Sequence, residues 1–542
     1  MSPVGEALTG PGWFGLAVAK TYLQVDPTIA LTVLEADASL GGTWSRTRGH
    51  PDLTTQQPFG AYEFPDRPLA PPADGAKFIP APTLHEYMVA YATEHGVATK
   101  IRYNSPVTRI ARAGAQWEVT VAGRAGADAN AGDGVESGSG AEIGAEIGAG
   151  AGTGAEWRGR FDKLIMATGL TSTPVLPAIP GLASESIAAA PRVFHARDVG
   201  THYEWLTGSH VTRVVVCGGG KSAADTTYLC AKHGKHVDWV VRPDAEGGGS
   251  AGLLPTRLLG KDGKDAIASR FAASQQPSLD ALDSRAWRWL HSGRNALGYA
   301  LHWAWWGVLC RAMQRYPGYD LSENMGRLRP AVTDRFGFWA PVPASLATQP
   351  DLLDMIHAGD RIAVHRASIA AIVPSPASPA APATAATTAA AVTTAAGVLL
   401  ADTASTRLSA DAVVLCTGYY GFSRIIAPAE LGLPMPVDAY PTELAAHWAA
   451  LEATADADVL RLFPRLRQAP AVTPRTLSHT PYRLVRRIVP VDFVLRGDRS
   501  FAVVGAVGAA GTAMYVLAPL SSPWHVMAWL LRCGPPTDRE CA

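Results

Sequence analysis

The sequence of 542 residues has no C-x-x-C pair: its six cysteines, at 217, 230, 310, 416, 533 and 541, are spaced for neither a dithiol redox centre nor a zinc site. It has no excess of either charge, since 47 Lys and Arg balance 47 Asp and Glu, and nucleic acid is thereby excluded as a partner. None of its asparagines stands in an N-x-[ST] acceptor, and no basic region with an apolar core opens the chain. These absences point to a cytoplasmic protein. Long apolar runs are also scarce. The uncharged stretch 295–310 is shorter than the ~20 residues that span a bilayer, and 501–531 is broken by Gly508, Gly511, Pro519 and Pro523. Neither run reads as a membrane span, whereas peripheral contact with a membrane stays open.

What is present is organised by two low-complexity tracts and two repeated units. The tracts, 122–156 and 374–397, are built of Gly, Ala, Pro and Thr and cannot bury enough side chain to offset ordering entropy. Strand-like runs flank both, so each reads as a flexible insertion in a hairpin loop. The units are strand-turn-helix-strand segments about two hundred residues apart, in the manner of doubly wound parallel sheets. Two such units imply two bound nucleotides.

In the second unit, VTRVVVC runs into Gly218-Gly219-Gly220-Lys221-Ser222-Ala223. Gly218 suits a tight turn and Gly220 a close approach to a pyrophosphate. Ala223 takes the helix-packing position, and Lys221 and Ser222 open a helix whose N-terminus faces the phosphates. The following strand ends in Arg242 rather than in an acid, which suits the 2′-phosphate of NADP; a solvated strand-end charge is the alternative. In the first unit Gly10, Gly12 and Gly15 form the fingerprint. Glu35 follows twenty residues later, where a carboxylate can accept both ribose hydroxyls of an adenosine. The strand before Gly10 is poor: Val4, Ala7 and Leu8 are its only apolar residues, Gly5 offers nothing to pack, and Glu6 would face a core. This strand is therefore where nucleotide binding is expected to be most open to failure, as if the chain's start had lost or replaced the true strand. Trp13 and Phe14 must point away from the pyrophosphate.

With these motifs in view, the chain resembles the flavin-containing and Baeyer-Villiger monooxygenases, in particular fungal FAD-dependent members, from about residue 10 to about residue 530. The first fingerprint, Glu35 and Gly41-Gly42-Thr43-Trp44 look like the family's FAD half, although GGTW also reads as a turn with a buried tryptophan. LTTQQPFGAYEFPDRP at 53–68 looks like the segment along the flavin, ATGLTSTPVLPAIPG at 167–181 like the strand leaving the FAD domain, and GGGKSAAD like the NADPH loop. LLDMIHAGDRIAVHRASI and DAVVLCTGYYGF look like the return crossing. The implied fold is α/β with two Rossmann-like domains: a discontinuous FAD domain at 1–185 and 398–542, and an inserted NADPH domain at 186–375. The implied cofactors are FAD and NADPH. The implied chemistry is hydride transfer to the flavin, a C4a-(hydro)peroxyflavin formed with O2, and oxygenation of an apolar small molecule, as in fungal secondary metabolism.

Several positions depart from the family. Gln56 stands where the flavin-containing monooxygenases carry an asparagine near the flavin, so its amide is displaced by one methylene. The fingerprint F-x-G-x-x-x-H-x-x-x-[FYW] survives only as His195, with Ala189, Pro191 and Val199 at its other positions; His195 is either a hinge or nicotinamide residue or a histidine bonded in a linker. Within the NADPH domain, about 250–340 forms a helical insertion rich in tryptophan: Trp287, Trp289, Trp303, Trp305 and Trp306, with His291 and His302. It is read as packing, as a substrate lid, or as a membrane-facing patch. Near the C-terminus, Asp498, Gly511 and Thr512 are expected beside the flavin edge, the alternative being a plain core strand and turn. Two competing functions stay in view: a flavin-deficient NADPH-binding relative, and an FAD oxidase or aromatic hydroxylase.

Overall fold

The computed structural model describes residues 5–122, 156–182, 193–243, 285–330, 348–374 and 396–420 apart from five single positions, with shorter, interrupted pieces at 253–262, 275, 344–345, 457–468 and 501–503. Two five-stranded parallel sheets organise these residues. In the first, Glu6–Thr9 lies at the centre, between Leu31–Leu34 and Lys163–Met166, with Ile101–Arg102 and Phe501–Val503 outermost. Helices Trp13–Val25 and Ala81–Glu94 cover it, burying Leu16, Leu84 and Met88 against Leu8, Leu31 and Val33. In the second, the order is Val193–His195, Ala412–Leu415, Arg213–Cys217, His236–Val241 and Ile362–Arg366. Its core joins Val214, Val216, Trp239, Val364 and Val414, the continuous aliphatic burial expected of parallel strands.

The strand before Gly10 corrects the expectation of weakness. Glu6–Thr9 is buried at every position and paired on both sides. A side chain on Gly5 would sit 2.2 Å from the Ala30 carbonyl oxygen, so glycine is what lets the chain enter the sheet. Glu6 is neutralised by an ion pair with Lys163.

Both low-complexity tracts join paired antiparallel strands: Val121 faces Trp157 across one hairpin and Pro374 faces Ala396 across the other. The run FDKLIM at 161–166, which follows the first tract, belongs to two elements. Trp157–Phe161 ends an antiparallel meander, Asp162 turns the chain by accepting from the Gln116 amide, and Lys163–Met166 enters the parallel sheet. The strands Ala396–Leu400, Arg407–Ala410 and Ala412–Leu415 pack with the second sheet, and Ala412–Leu415 pairs with Arg213–Cys217.

The tryptophan-rich segment contains two helices, Arg285–His291 and Ala296–Arg315. They cross closely at Gly298, where an added Cβ would meet the Trp289 ring at 2.5 Å. Among the described residues no helix is long and apolar enough to cross a membrane.

Candidate nucleotide-binding site

Each glycine turn sits at the carboxyl end of a central strand, the place where open α/β sheets bind ligands. Gly10 (φ 90°) and Gly218 (φ 142°) take backbone conformations closed to most side chains, and a Cβ on Gly218 would lie 2.3 Å from the Cys416 carbonyl oxygen. At Gly15 a Cβ would lie 2.0 Å from the Gly10 carbonyl oxygen, so this residue sets the close packing of helix on strand. Ala223, fully buried, fills the same position in the second unit. Gly12 and Gly220 are the N-caps of helices Trp13–Val25 and Lys221–Lys232. Neither helix has a side-chain cap or an acidic residue in its first turn, so its leading N–H groups and dipole are left for an anion. A Cβ on Gly220 would meet nothing within 4 Å, so the protein leaves the space above this turn open.

In the first unit the GGTW segment folds back on the glycine turn. The Gly41 N–H donates to the Pro11 carbonyl at 3.0 Å, and a Cβ on Gly42 would lie 3.7 Å from the Gly12 Cα, so two residues without side chains face one another. Trp44 is half-buried and donates its indole N–H to the Tyr62 hydroxyl at 3.0 Å, which joins the turn and packing readings. Trp13 stacks on Phe64, with centroids 4.2 Å apart, as required if the turn is to stay clear. Glu35 follows the second strand, is buried, and accepts the Asp37 N–H at 2.8 Å. Burial pushes its carboxyl up to about 7. A buried acid with little local compensation fits a partner that supplies hydroxyl donors.

The second unit treats its charged residues differently. The Lys221 ammonium pairs with Asp225 and also reaches the Gln349 side-chain oxygen at 3.4 Å, so its side chain is committed within the protein and its backbone N–H is what faces outward. Arg242 is exposed just beyond the strand His236–Val241.

A segment that sequence reasoning overlooked brings the two units together. Arg48 binds the Asp37 carboxylate at 2.9 Å and the Thr171 carbonyl at 3.2 Å, and Arg197, from the second unit's first turn, reaches Asp37 at 3.2 Å. Asp52 accepts from the Tyr203 hydroxyl at 2.7 Å, the His233 ring at 2.7 Å and Lys232 at 3.1 Å. Burial opposes its charge, but the hydrogen bonds from His233, Tyr203 and Lys232 outweigh burial and hold its carboxyl well below the usual range. His50 stacks on Tyr203, and a Cβ on Gly200 would lie 2.4 Å from the Arg48 carbonyl oxygen. Arg48, His50 and Asp52 follow no periodic pattern; their one local signal is that they trail GGTW by a few positions.

Between the units lies a cleft of ≈ 410 Å³. Thr43, Arg48, His50 and Thr54 line it from the first unit, and Ser222, Asp225, Thr226 and Gln349 from the second. Gln56, half-buried, lies two residues from Thr54 in the strand Thr54–Pro58. His195 is buried beside the cleft rather than in its wall. Its Nδ1 accepts the Arg197 N–H at 3.1 Å and its ring meets Tyr419 edge-on at 5.0 Å. Burial pushes its pKa down, and Val199, at the family's aromatic position, is core. Asp498, Gly511 and Thr512 lie outside the described residues. Among the described residues no cluster of three or more His, Cys, Asp or Glu could hold a metal ion.

Thr43 and Ser222, beside the two glycine turns, line one cleft, and residues 82–246 match the pyridine nucleotide-disulphide oxidoreductase family model. Over 547 residues the chain is 31% identical to an FAD-dependent monooxygenase of Pyrenophora dematioidea, spanning 96% of this chain and 89% of that one. Over 521 residues it is 31% identical to an FAD-dependent monooxygenase of Aspergillus nomiae, spanning 93% and 80%. The chain belongs to the fungal FAD-dependent monooxygenases. Its fold is also that of a cyclohexanone monooxygenase from Rhodococcus sp. Phi1 solved with NADP+, at 14% identity and a TM-score of 0.50 over 92% of this chain and 98% of that one.

Proposed function

We propose that the chain is an NADPH- and oxygen-dependent FAD monooxygenase that oxygenates an apolar small molecule, of the kind handled in fungal secondary metabolism. The shared cleft carries this reading, because Thr43 beside the first glycine turn and Ser222 beside the second line one space. The first unit would hold FAD: Gly10, Gly12 and Gly15 at the pyrophosphate, Glu35 at the adenosine ribose, and Gly42, Thr43 and Trp44 along the cofactor. Asp498, Gly511 and Thr512 complete this set. The second unit would hold NADPH through Gly218, Gly220, the N–H groups of Lys221 and Ser222, and Arg242 at the 2′-phosphate. When bound, the flavin accepts a hydride from NADPH and activates dioxygen for transfer of one oxygen atom.

The protein's own residues hold the cofactors in register and exclude water. Asp52, Arg48 and Arg197 fasten the units together around the cleft. Pro51, Leu53, Val199 and Leu229 contribute apolar wall to a lining that also holds Arg48, Asp52 and Asp225. Gln56 supplies an amide near this wall, and His195 acts as a positioning residue that holds the turn bearing Arg197. The flavin-deficient alternative loses its motive, because the first strand is fully paired.

The test is turnover of FAD-loaded protein with NADPH, isotopically labelled dioxygen, and a panel of apolar ketones, sulfides and aromatics. One labelled oxygen per product, matched to NADPH consumed, is expected for at least one class. NADPH consumption that yields only hydrogen peroxide with every class would mean an oxidase.

A further inference from the structure

The helix Ala296–Arg315 turns an unusual face to solvent. Leu297, Leu301 and Val308 are 64%, 53% and 60% exposed, and Ala300 and Ala304 are exposed between them. Their spacing puts them in one row along about three turns. The opposite face, with Gly298, His302, Trp306, Leu309, Cys310 and Met313, is buried. The helix is thus apolar on both sides, and among the described residues no side chain covers the outward row. Charge around the row is one-sided. Between 285 and 315 the sequence holds Arg285, Arg288, Arg294, Arg311 and Arg315 and no acidic residue, in a chain whose charges balance as a whole. All five arginines are exposed, before and after the apolar row. Among the five tryptophans of these helices only Trp289 is exposed.

From this arrangement we infer that the two helices dock the enzyme on an anionic phospholipid bilayer, with the row Leu297–Leu301–Val308 lying in the plane of the interface. An aliphatic row flanked by cations matches acyl chains bordered by phosphates. A protein partner is disfavoured by the chemistry of the face: leucine and valine seldom anchor protein interfaces, and the row itself holds no aromatic residue. A second copy is disfavoured because it would bring two sets of five arginines together. The row extends only about 17 Å at 1.5 Å per residue, so the helix lies on the membrane without crossing it. This inference does not depend on which substrate the enzyme oxygenates.

The test is flotation of the full-length, FAD-loaded protein with vesicles of phosphatidylcholine alone or mixed with phosphatidylserine. Co-flotation is expected with the anionic vesicles and little with the neutral ones. The triple variant Leu297→Ser, Leu301→Ser, Val308→Ser should partition about tenfold or more weakly. The pair Arg311→Glu, Arg315→Glu should do the same by charge alone, with NADPH oxidation unchanged in both proteins. The pair also keeps the test decisive if the triple variant folds poorly. No flotation with anionic vesicles, equal flotation with neutral ones, or unchanged flotation in both variants would overturn the inference. So would a dimer in light scattering that the triple variant converts to monomer, which would assign the row to a second copy.

Discussion

Glu35→Gln separates what a buried carboxylate costs the protein from what it contributes to a nucleotide. In the folded, cofactor-free chain burial raises the Glu35 carboxyl from 4.5 to about 7, so the native state keeps its proton where the unfolded chain has lost it. Native protein then binds more protons than unfolded protein between those values, and stability falls as pH rises through that window. Above pH 7 the loss is on the order of 3 kcal/mol. Glutamine keeps the size of the side chain and an oxygen to accept the Asp37 N–H, and it has no proton to lose. Cofactor-free Glu35→Gln protein is therefore expected to melt like the parent at pH 5 and clearly above it at pH 8. FAD binding should move the other way. A carboxylate accepts hydroxyl donors more strongly than an amide does, and the difference corresponds to about tenfold weaker FAD at pH 8, shrinking toward pH 5 where Glu35 is itself neutral. Melting curves and fluorescence titration of the same preparations read both. Equal FAD affinity at pH 8 would refute the ribose role, and a melting difference independent of pH would refute the burial argument.

Three further outcomes follow from the same geometry. Gly220→Ala adds a Cβ that meets no protein atom within 4 Å, so FAD content should be retained at a cost of about 1 kcal/mol or less to the fold, while KM for NADPH rises at least about tenfold in steady-state assays. Arg242→Ala should raise KM for NADPH about 10- to 100-fold and leave NADH almost unaffected, because only NADPH carries the 2′-phosphate. Asp52→Asn removes the charge that Tyr203, His233 and Lys232 share and should weaken the contact between units by about 1–3 kcal/mol, seen as slower anaerobic reduction of the flavin by NADPH. Because the Asp52 carboxyl is held below its ordinary range, its contribution is complete above that range and is lost as pH falls below it towards the lowered folded-state value.

The parts of this protein that could be read from sequence are those whose physics is local. VTRVVVC before three glycines declares a buried strand and a turn, and both low-complexity tracts fall in hairpins because strand-like runs bracket them. The other parts depend on partners far along the chain. Gly5 and Glu6 look like flaws until Ala30 and Lys163 are beside them. AVVL at 412–415 is a short aliphatic run that would suit either parallel sheet, and only its register with Val214–Cys217 assigns it to the second. Arg48, Asp52 and Arg197 belong to no motif, because their chemistry exists only where the two units meet. The exposed row at Leu297, Leu301 and Val308 lies among tryptophans that suit packing, a lid and a membrane-facing patch alike, and only the side chains' exposure singles it out.

The central claim is that both nucleotides work across one cleft, and anaerobic mixing of the FAD-loaded protein with NADPH tests it most directly. The account predicts complete bleaching of the flavin at a rate that saturates with NADPH and slows when the transferred hydrogen is deuterium. Flavin that stays oxidised under NADPH, yet is bleached at once by a chemical reductant, would contradict it.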